Sequence, residues 1–213
     1  MTIRAVGVVG LERRSLGLHR AGFDVHVADA NPGTAKAARC ASVSICVTPT
    51  ELGQSCDLIV VMVGFEVGLE AVLFGDNGLV PAASLGLTIA FALTIPPAAI
   101  KRLCERLVGT GATLIDAPVA RDEAATPDGT LLMFAGGTDA EISACRPVLE
   151  GFCSDIFHVG PLGAGRTAKM VSNMILWACL TAMVEGLDLA EAMGIDRERL
   201  RAALAPGSGR RRT

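Results

Sequence analysis

The chain has 213 residues, about half of them hydrophobic (51%), and a net charge of −3 with a pI near 5.6. That length holds one large domain, or one domain and a fragment of a second, with ample residues for a real core. The charge balance offers no basic surface for nucleic acid, and the one basic run, Arg210-Arg211-Arg212, reads as a solvated tail.

In chain order, residues 3–9 (IRAVGVV) form an apolar, β-branched run too short for a helix. Gly10, a helix-like stretch to Ala21 and Gly22 as a C-cap follow, giving strand, turn and helix. A second strand, FDVHVAD, ends on Asp29, and Asn31-Pro32 turns into a helical TAKAARC. Further strands are expected at 42–46 and, more strongly, at 57–63 (DLIVVMV). Then come a strand at 86–93, a helix opening after Pro97, a strand GATLID ending on Asp116, and a hairpin-like pair around GTLLMFAGG (129–137). A helix from Asp139 to Leu149 and the segment DIFHVG close the series. Continuous apolar strands separated by helices imply a parallel sheet covered on both faces. The expected fold is α/β, a Rossmann-type, doubly wound, mainly parallel sheet over 1–160, followed over 161–213 by a long helix and a fragment of an all-α domain.

Residues 160–194 read as a Gly-rich entry feeding that long helix. Lys169, Asn173, Trp177, Thr181 and Glu185 recur every four residues and form one ladder, while the other faces are apolar. Such a helix is expected to be buried between layers, domains or subunits. Its uncharged stretch, 170–184, is interrupted by Ser172, Asn173 and Thr181 and falls short of the roughly 20 apolar residues of a membrane span. Lys169 has two readings, a side chain snorkelling at a helix start or a functional cation placed against the helix dipole.

Seven scattered cysteines, odd in number and without CxxC spacing, read as buried free thiols of a reducing cytosol. The three histidines, His19, His26 and His158, fall on separate elements, which makes a zinc site improbable. The N-terminus enters a strand directly, so no signal peptide is expected and the cytoplasm is the expected location.

Several segments in this order resemble the β-hydroxyacid dehydrogenase family. That group contains 3-hydroxyisobutyrate, tartronate-semialdehyde and threonate dehydrogenases and the cofactor domain of 6-phosphogluconate dehydrogenase. The carriers are GVVGL (7–11), LFGDNGLV (73–80), LTIPP (93–97), IDAPV (115–119), GTLLMFAGG (129–137) and HVGPLGAGRTAKMVSN (158–173), so the likeness covers nearly the whole chain. It implies hydride transfer between NAD or NADP and a small 3-hydroxy acid. Lys169 would be the acid/base and Asn173 would orient the substrate. Gly10, Leu11, Val63, Gly64 and Thr94 would lie along the cofactor, and Ala120, Arg121 and Asp122 would take the place of the substrate-carboxylate anchor. A homodimer through the 165–194 helix is likewise expected, with no nucleic acid or membrane partner.

The sequence departs from the family in three places. The Gly-rich pyrophosphate turn is replaced by Gly10-Leu11-Glu12-Arg13-Arg14-Ser15. Either two glycines have become Glu12 and Ser15, or four residues have been deleted, which restores register at Leu18. Arg13 and Arg14 would offset the repulsion of Glu12 toward a diphosphate, or the turn no longer binds phosphate. The family's Ser-Gly-Gly anchor is Ala120-Arg121-Asp122, in which Arg121 would bind a carboxylate by a bidentate pair if Asp122 does not neutralise it. The sequence stops shortly after a small helix at Arg197 to Leu204, where the family continues. Asp29, which ends the second strand before Ala30, favours NAD over NADP by repelling a 2′-phosphate, or else caps the Asn31-Pro32 turn. Two functions remain open, a divergent dehydrogenase and a non-catalytic relative acting as a folded binding or dimerisation module.

Overall fold

Short aliphatic and β-branched runs, too short to be helices, form the strands of one twisted sheet. A computed structural model describes residues 3–10, 15–29, 43–63, 66–93, 95–120 and 131–205. The first half comprises β1 (Ala5–Val9), α1 (Ser15–Arg20), β2 (Asp24–Ala28), β3 (Ser44–Ile45), α2 (Pro49–Ser55), β4 (Leu58–Val61), α3 (Glu66–Phe74) and β5 (Thr88–Phe91). It is followed by α4 (Pro97–Leu107), β6 (Thr113–Asp116), β7 (Val119–Ala120), β8 (Leu131–Gly136), α5 (Asp139–Leu149), β9 (Cys153–Gly160), α6 (Ala164–Ala192) and α7 (Arg197–Leu204). The strand order is β3-β2-β1-β4-β5-β6-β8-β7, with β9 beside β8.

From β3 to β6 every pairing is parallel, and β8 then runs antiparallel to β6 and β7 and parallel to β9. The expected doubly wound, mainly parallel sheet is therefore present. The hairpin-like pair expected around GTLLMFAGG is present as β7 and β8, consecutive antiparallel strands (Val119 opposite Met133, Ala120 opposite Leu132), and β8 also meets β6 at Asp116 and Gly136. The strand expected at 42–46 is the two-residue β3 in its described part. The helix expected at TAKAARC lies outside the described residues.

Strand β4 shows why the sheet is covered twice. Leu58, Ile59, Val60 and Val61 are all buried, and successive side chains point to opposite faces. Leu58 and Val60 join a cluster with Leu18 of α1 and with Ile142, Val148 and Leu149 of α5. Ile59 and Val61 join the opposite cluster with Leu52 of α2, Leu69 and Leu73 of α3 and Leu103 of α4. The start of β4 is locked to β1 by the Asp57 carboxylate, which accepts from the backbone N–H groups of Arg4 (2.8 Å) and Ala5 (3.1 Å). Helix α5 opens on a reciprocal cap: the Glu141 N–H donates to Thr138 Oγ1 (3.3 Å) and the Thr138 N–H to Glu141 Oε2 (2.7 Å).

The chain divides into two compact units, Met1–Lys169 and Met170–Thr213, with the division inside α6. At 29 residues, α6 is about 44 Å long, close to the length its sequence suggests. In the second unit it ends at Gly194 (φ +79°) in a left-handed turn. There the Asp196 carboxylate caps α7 by accepting from the Arg199 N–H (2.8 Å), and Arg197 pairs with Asp188 and Glu191.

The expected burial of the long helix is not found in the single chain. Beyond Lys169 only Leu187 and Ala190 of α6 are buried, while Met174 is 66% and Trp177 62% exposed. A periodic apolar pattern records that a face prefers to leave water, but not what covers it. By length and composition α6 is also apolar enough to cross a membrane, contrary to the shorter span expected from its uncharged stretch.

Candidate active site at the C-terminal edge of the sheet

Strand order reverses between β1 and β4, since the chain steps from β1 outward to β2 and β3 and then returns to β1's other side. In such sheets ligands bind in the crevice outside the strand C-termini at that reversal. Gly10 leaves β1 there with φ +87°, and a Cβ on it would lie 2.7 Å from the Met62 carbonyl oxygen and 3.4 Å from Val63 Cγ1. Only glycine fits both the backbone conformation and that approach. Asp29 stands exposed at the end of β2, whose Ala28 carbonyl accepts from the Gly10 N–H (3.4 Å). Gly10, Asp29 and half-buried Val63 thus share one edge.

A second group forms where β5 and β6 leave the same edge. Asp116, the last residue of β6, is fully buried, and its carboxylate accepts from the backbone N–H groups of Gly163 and Arg166, both at 2.7 Å. Helix α6 has no acidic residue in its own first turn. Asp116 supplies that charge from a distant strand, so it serves as the helix's N-terminal cap. The approach is close enough to require glycine twice: a Cβ on Gly136 would overlap Asp116 Oδ1, and one on Gly165 would overlap the Phe134 carbonyl oxygen.

Arg166, third residue of α6, is 1% exposed. Its Nη1 donates to the carbonyl oxygens of Leu93 (3.3 Å) and Ile95 (3.5 Å) beyond β5, and its guanidinium carbon lies 6.0 Å from the Phe91 ring centroid. Nε and Nη2 have no hydrogen-bond partner among the described residues. Burial pulls its pKa down to about 10, opposed by the charge of Asp116.

Lys169 follows one turn later, in the second turn of α6, so the first-turn cation is Arg166 and not Lys169 as the sequence suggested. Lys169 is half-buried, and that burial lowers its pKa below the ordinary 10.5. Asn173 lies four residues further on the same helix, within the second unit. Ala120 is a residue of the edge strand β7, opposite Leu132, and not part of a loop. Leu11, Arg13, Arg14, Gly64, Thr94, Arg121 and Asp122 lie outside the described residues. Sequence reasoning gave Arg166 no role and did not foresee that Asp116 caps a helix; the absence of an acid from the first turn of α6 was the one signal that its cap comes from elsewhere.

His158 Nε2 donates to the carbonyl oxygens of Gly137 (2.9 Å) and Gly160 (3.0 Å), and its Nδ1 lies 3.1 Å from Asp139 Oδ1. No group of three His, Cys, Asp or Glu side chains among the described residues could hold a metal ion. Burial pushes the thiols of Cys56 and Cys145 up to about 12 and about 11. The expectation of buried cysteines fails at Cys179, which is exposed, and partly at Cys46 and Cys104, which are half-buried.

Comparison with known proteins agrees with this geometry. The NAD-binding domain of 6-phosphogluconate dehydrogenase matches residues 6–160, and the NAD-binding domain of NADP-dependent 3-hydroxyisobutyrate dehydrogenase matches 163–213. The chain is 30% identical to L-threonate dehydrogenase of Cupriavidus necator, over 97% of this chain and 71% of that protein. It is 32% identical to 2-hydroxy-3-oxopropionate reductase of Escherichia coli, over 95% and 68%. Against human mitochondrial 3-hydroxyisobutyrate dehydrogenase it spans 62% of the relative's length at 27% identity, with 96% of this chain aligned. The solved structure of Mycobacterium tuberculosis 3-hydroxyisobutyrate dehydrogenase with L-serine superposes with a TM-score of 0.87 at 25% identity, covering 99% of this chain and 72% of that one. With both domain families matched in order along a sheet that reverses where a dinucleotide would sit, the chain belongs to the β-hydroxyacid dehydrogenase family.

Proposed function

We propose that the chain transfers a hydride between a nicotinamide cofactor and a small 3-hydroxy acid, with Lys169 as general acid/base. The observation that carries this is a half-buried lysine with a lowered pKa, one turn beyond a helix start fastened to the sheet's C-terminal edge. Support for a dinucleotide in the crevice is its place at the reversal of strand order, the match of residues 6–160 to an NAD-binding domain, and Asp29 at the end of the neighbouring strand. Gly10, Leu11, Arg13, Arg14, Val63, Gly64 and Thr94 would hold the cofactor. Asp29 would accept from ribose hydroxyls and repel a 2′-phosphate, favouring NAD over NADP. Ala120, Arg121 and Asp122 would meet the substrate carboxylate, with Arg121 as the charged partner.

When bound, the nicotinamide accepts or donates the hydride. Neutral Lys169 takes the proton from the substrate hydroxyl as the carbonyl forms, and in the reverse direction protonated Lys169 returns it to that oxygen. Asn173 orients the substrate. Titration of the purified chain with NADH and NADPH tests the cofactor assignment. NADH should bind the tighter by about tenfold, which corresponds to ~1.4 kcal/mol. Tighter NADPH binding would reverse the role given to Asp29. No binding of either, in a folded chain, would leave the fold as a scaffold and favour a non-catalytic binding module.

We also propose a cytoplasmic homodimer in which a second copy covers the apolar face of α6. Its support is the exposure of Met174, Leu176, Trp177 and Leu180, a face too apolar to stay in water. Trp177 is the only tryptophan, so its emission should shift to the blue as concentration rises and sedimentation moves from monomer to dimer. A chain that stays monomeric and partitions into lipid vesicles would instead point to the membrane.

A further inference from the structure

We propose that Arg166 is a positioning residue: by tying the start of α6 to the segment leaving β5, it sets the depth and rotation at which the helix presents Lys169. The inference rests on the acid/base role given to Lys169.

A buried guanidinium with two unpartnered nitrogens is a poor way to stabilise a fold. Desolvating the cation is costly, and an apolar side chain of similar size is often as good or better. Arg166 nevertheless stands 1% exposed beside Phe91, with Nε and Nη2 unpartnered among the described residues. Among the described residues the charged and titratable groups facing it are Asp116 and the Cys104 thiol, and each Asp116 carboxylate oxygen already accepts from a backbone N–H group. Packing alone therefore does not account for an arginine here.

What its side chain does hold is specific. One nitrogen, Nη1, reaches the carbonyls of Leu93 and Ile95, on either side of residue 94. The backbone N–H of the same residue is held by Asp116 at the exit of β6. One residue thus pins the helix start to two adjacent strand exits. Lys169 lies three residues on, about 4.5 Å along the axis and on nearly the same side of the helix. A slip of one residue would swing Lys169 by about 100°, away from the edge that carries the site. Because the clamp grips the chain on both sides of residue 94, it also couples the position of the amine to the segment in which the family resemblance puts Thr94 beside the nicotinamide.

Arg166→Met and Arg166→Lys test this in two assays on the full chain. The first follows the rate at which an amine-selective acylating reagent modifies Lys169 as pH is raised, read by mass spectrometry, and needs neither cofactor nor substrate. The second measures kcat and KM for a small 3-hydroxy acid together with the Kd for NADH.

Arg166→Met should lower kcat by about ten- to a hundredfold, as expected for a misplaced reacting group, while the NADH Kd changes by less than about threefold. It should also move the Lys169 titration up by roughly half a unit or more as the amine gains solvent. Arg166→Lys keeps a charge but not the span between both carbonyls, and should fall between the two. A folded Arg166→Met chain with unchanged kcat and unchanged Lys169 titration overturns the proposal, as do parallel losses of kcat, NADH affinity and melting temperature. If Arg166→Met fails to fold, Arg166→Lys decides by the same criteria. Absence of turnover in the unaltered chain would sink the acid/base reading instead, and the Lys169 titration would still decide this one.

Discussion

Replacing Asp116 by alanine should destabilise the chain by about 3–5 kcal/mol, because it removes a buried carboxylate that accepts from two backbone N–H groups at the start of a helix. Asp116 is 0% exposed and accepts two 2.7 Å hydrogen bonds from the N–H groups of Gly163 and Arg166. Its loss would strand both donors, remove the carboxylate that caps the helix start, and remove the charge that opposes the desolvation of Arg166. For a chain of this size the loss corresponds to a fall of roughly 6–20 °C in melting temperature. Asp116→Asn should fall short of that, since one oxygen still accepts while the amide group faces the second donor. A melting temperature unchanged in Asp116→Ala would show that the cap is not stabilising and that α6 is held by other means.

Lys169→Ala should abolish most turnover, by about a hundred- to ten-thousandfold in kcat, with NADH affinity and melting temperature nearly unchanged. The side chain is half-buried and has no hydrogen bond among the described residues, so the effect falls on chemistry. The pH dependence follows from the sign of its shift. Oxidation of the hydroxy acid needs the neutral amine and therefore rises with pH through the Lys169 pKa, whereas reduction needs the ammonium form and falls over the same range. Because burial lowers that pKa, the rise should centre below 10.5. A limb at or above the ordinary lysine value, or equal turnover in Lys169→Ala, would remove the assignment.

Variants at Asp116, Arg166 and Lys169 probe three layers of one device. Asp116 decides whether the helix begins where it does, Arg166 decides how that start is seated, and Lys169 performs the proton transfer that the seating serves. Asp116→Ala should therefore lose stability and turnover together, Lys169→Ala turnover alone, and Arg166→Met chiefly kcat.

Much of this was legible in the sequence. Four-residue apolar runs such as Leu58–Val61 specify buried parallel strands, because only a strand covered on both faces hides consecutive side chains. The span of α6 and the reciprocal cap of α5 were likewise local, written in helix formers and in a Thr-x-x-Glu spacing. Ordered motifs such as IDAPV and GAGRTAK identified the family. Tertiary structure alone decided the rest: that Asp116 caps a helix beginning some fifty residues later in the chain, that Arg166 reaches back to Leu93 and Ile95, and that Gly136 and Gly165 must be glycine to admit that contact. Periodicity records how each segment meets water, a property of neighbours along the chain. Hydrogen bonds between groups 50 and 73 residues apart leave no period behind them, and only the folded sheet brings their partners within reach.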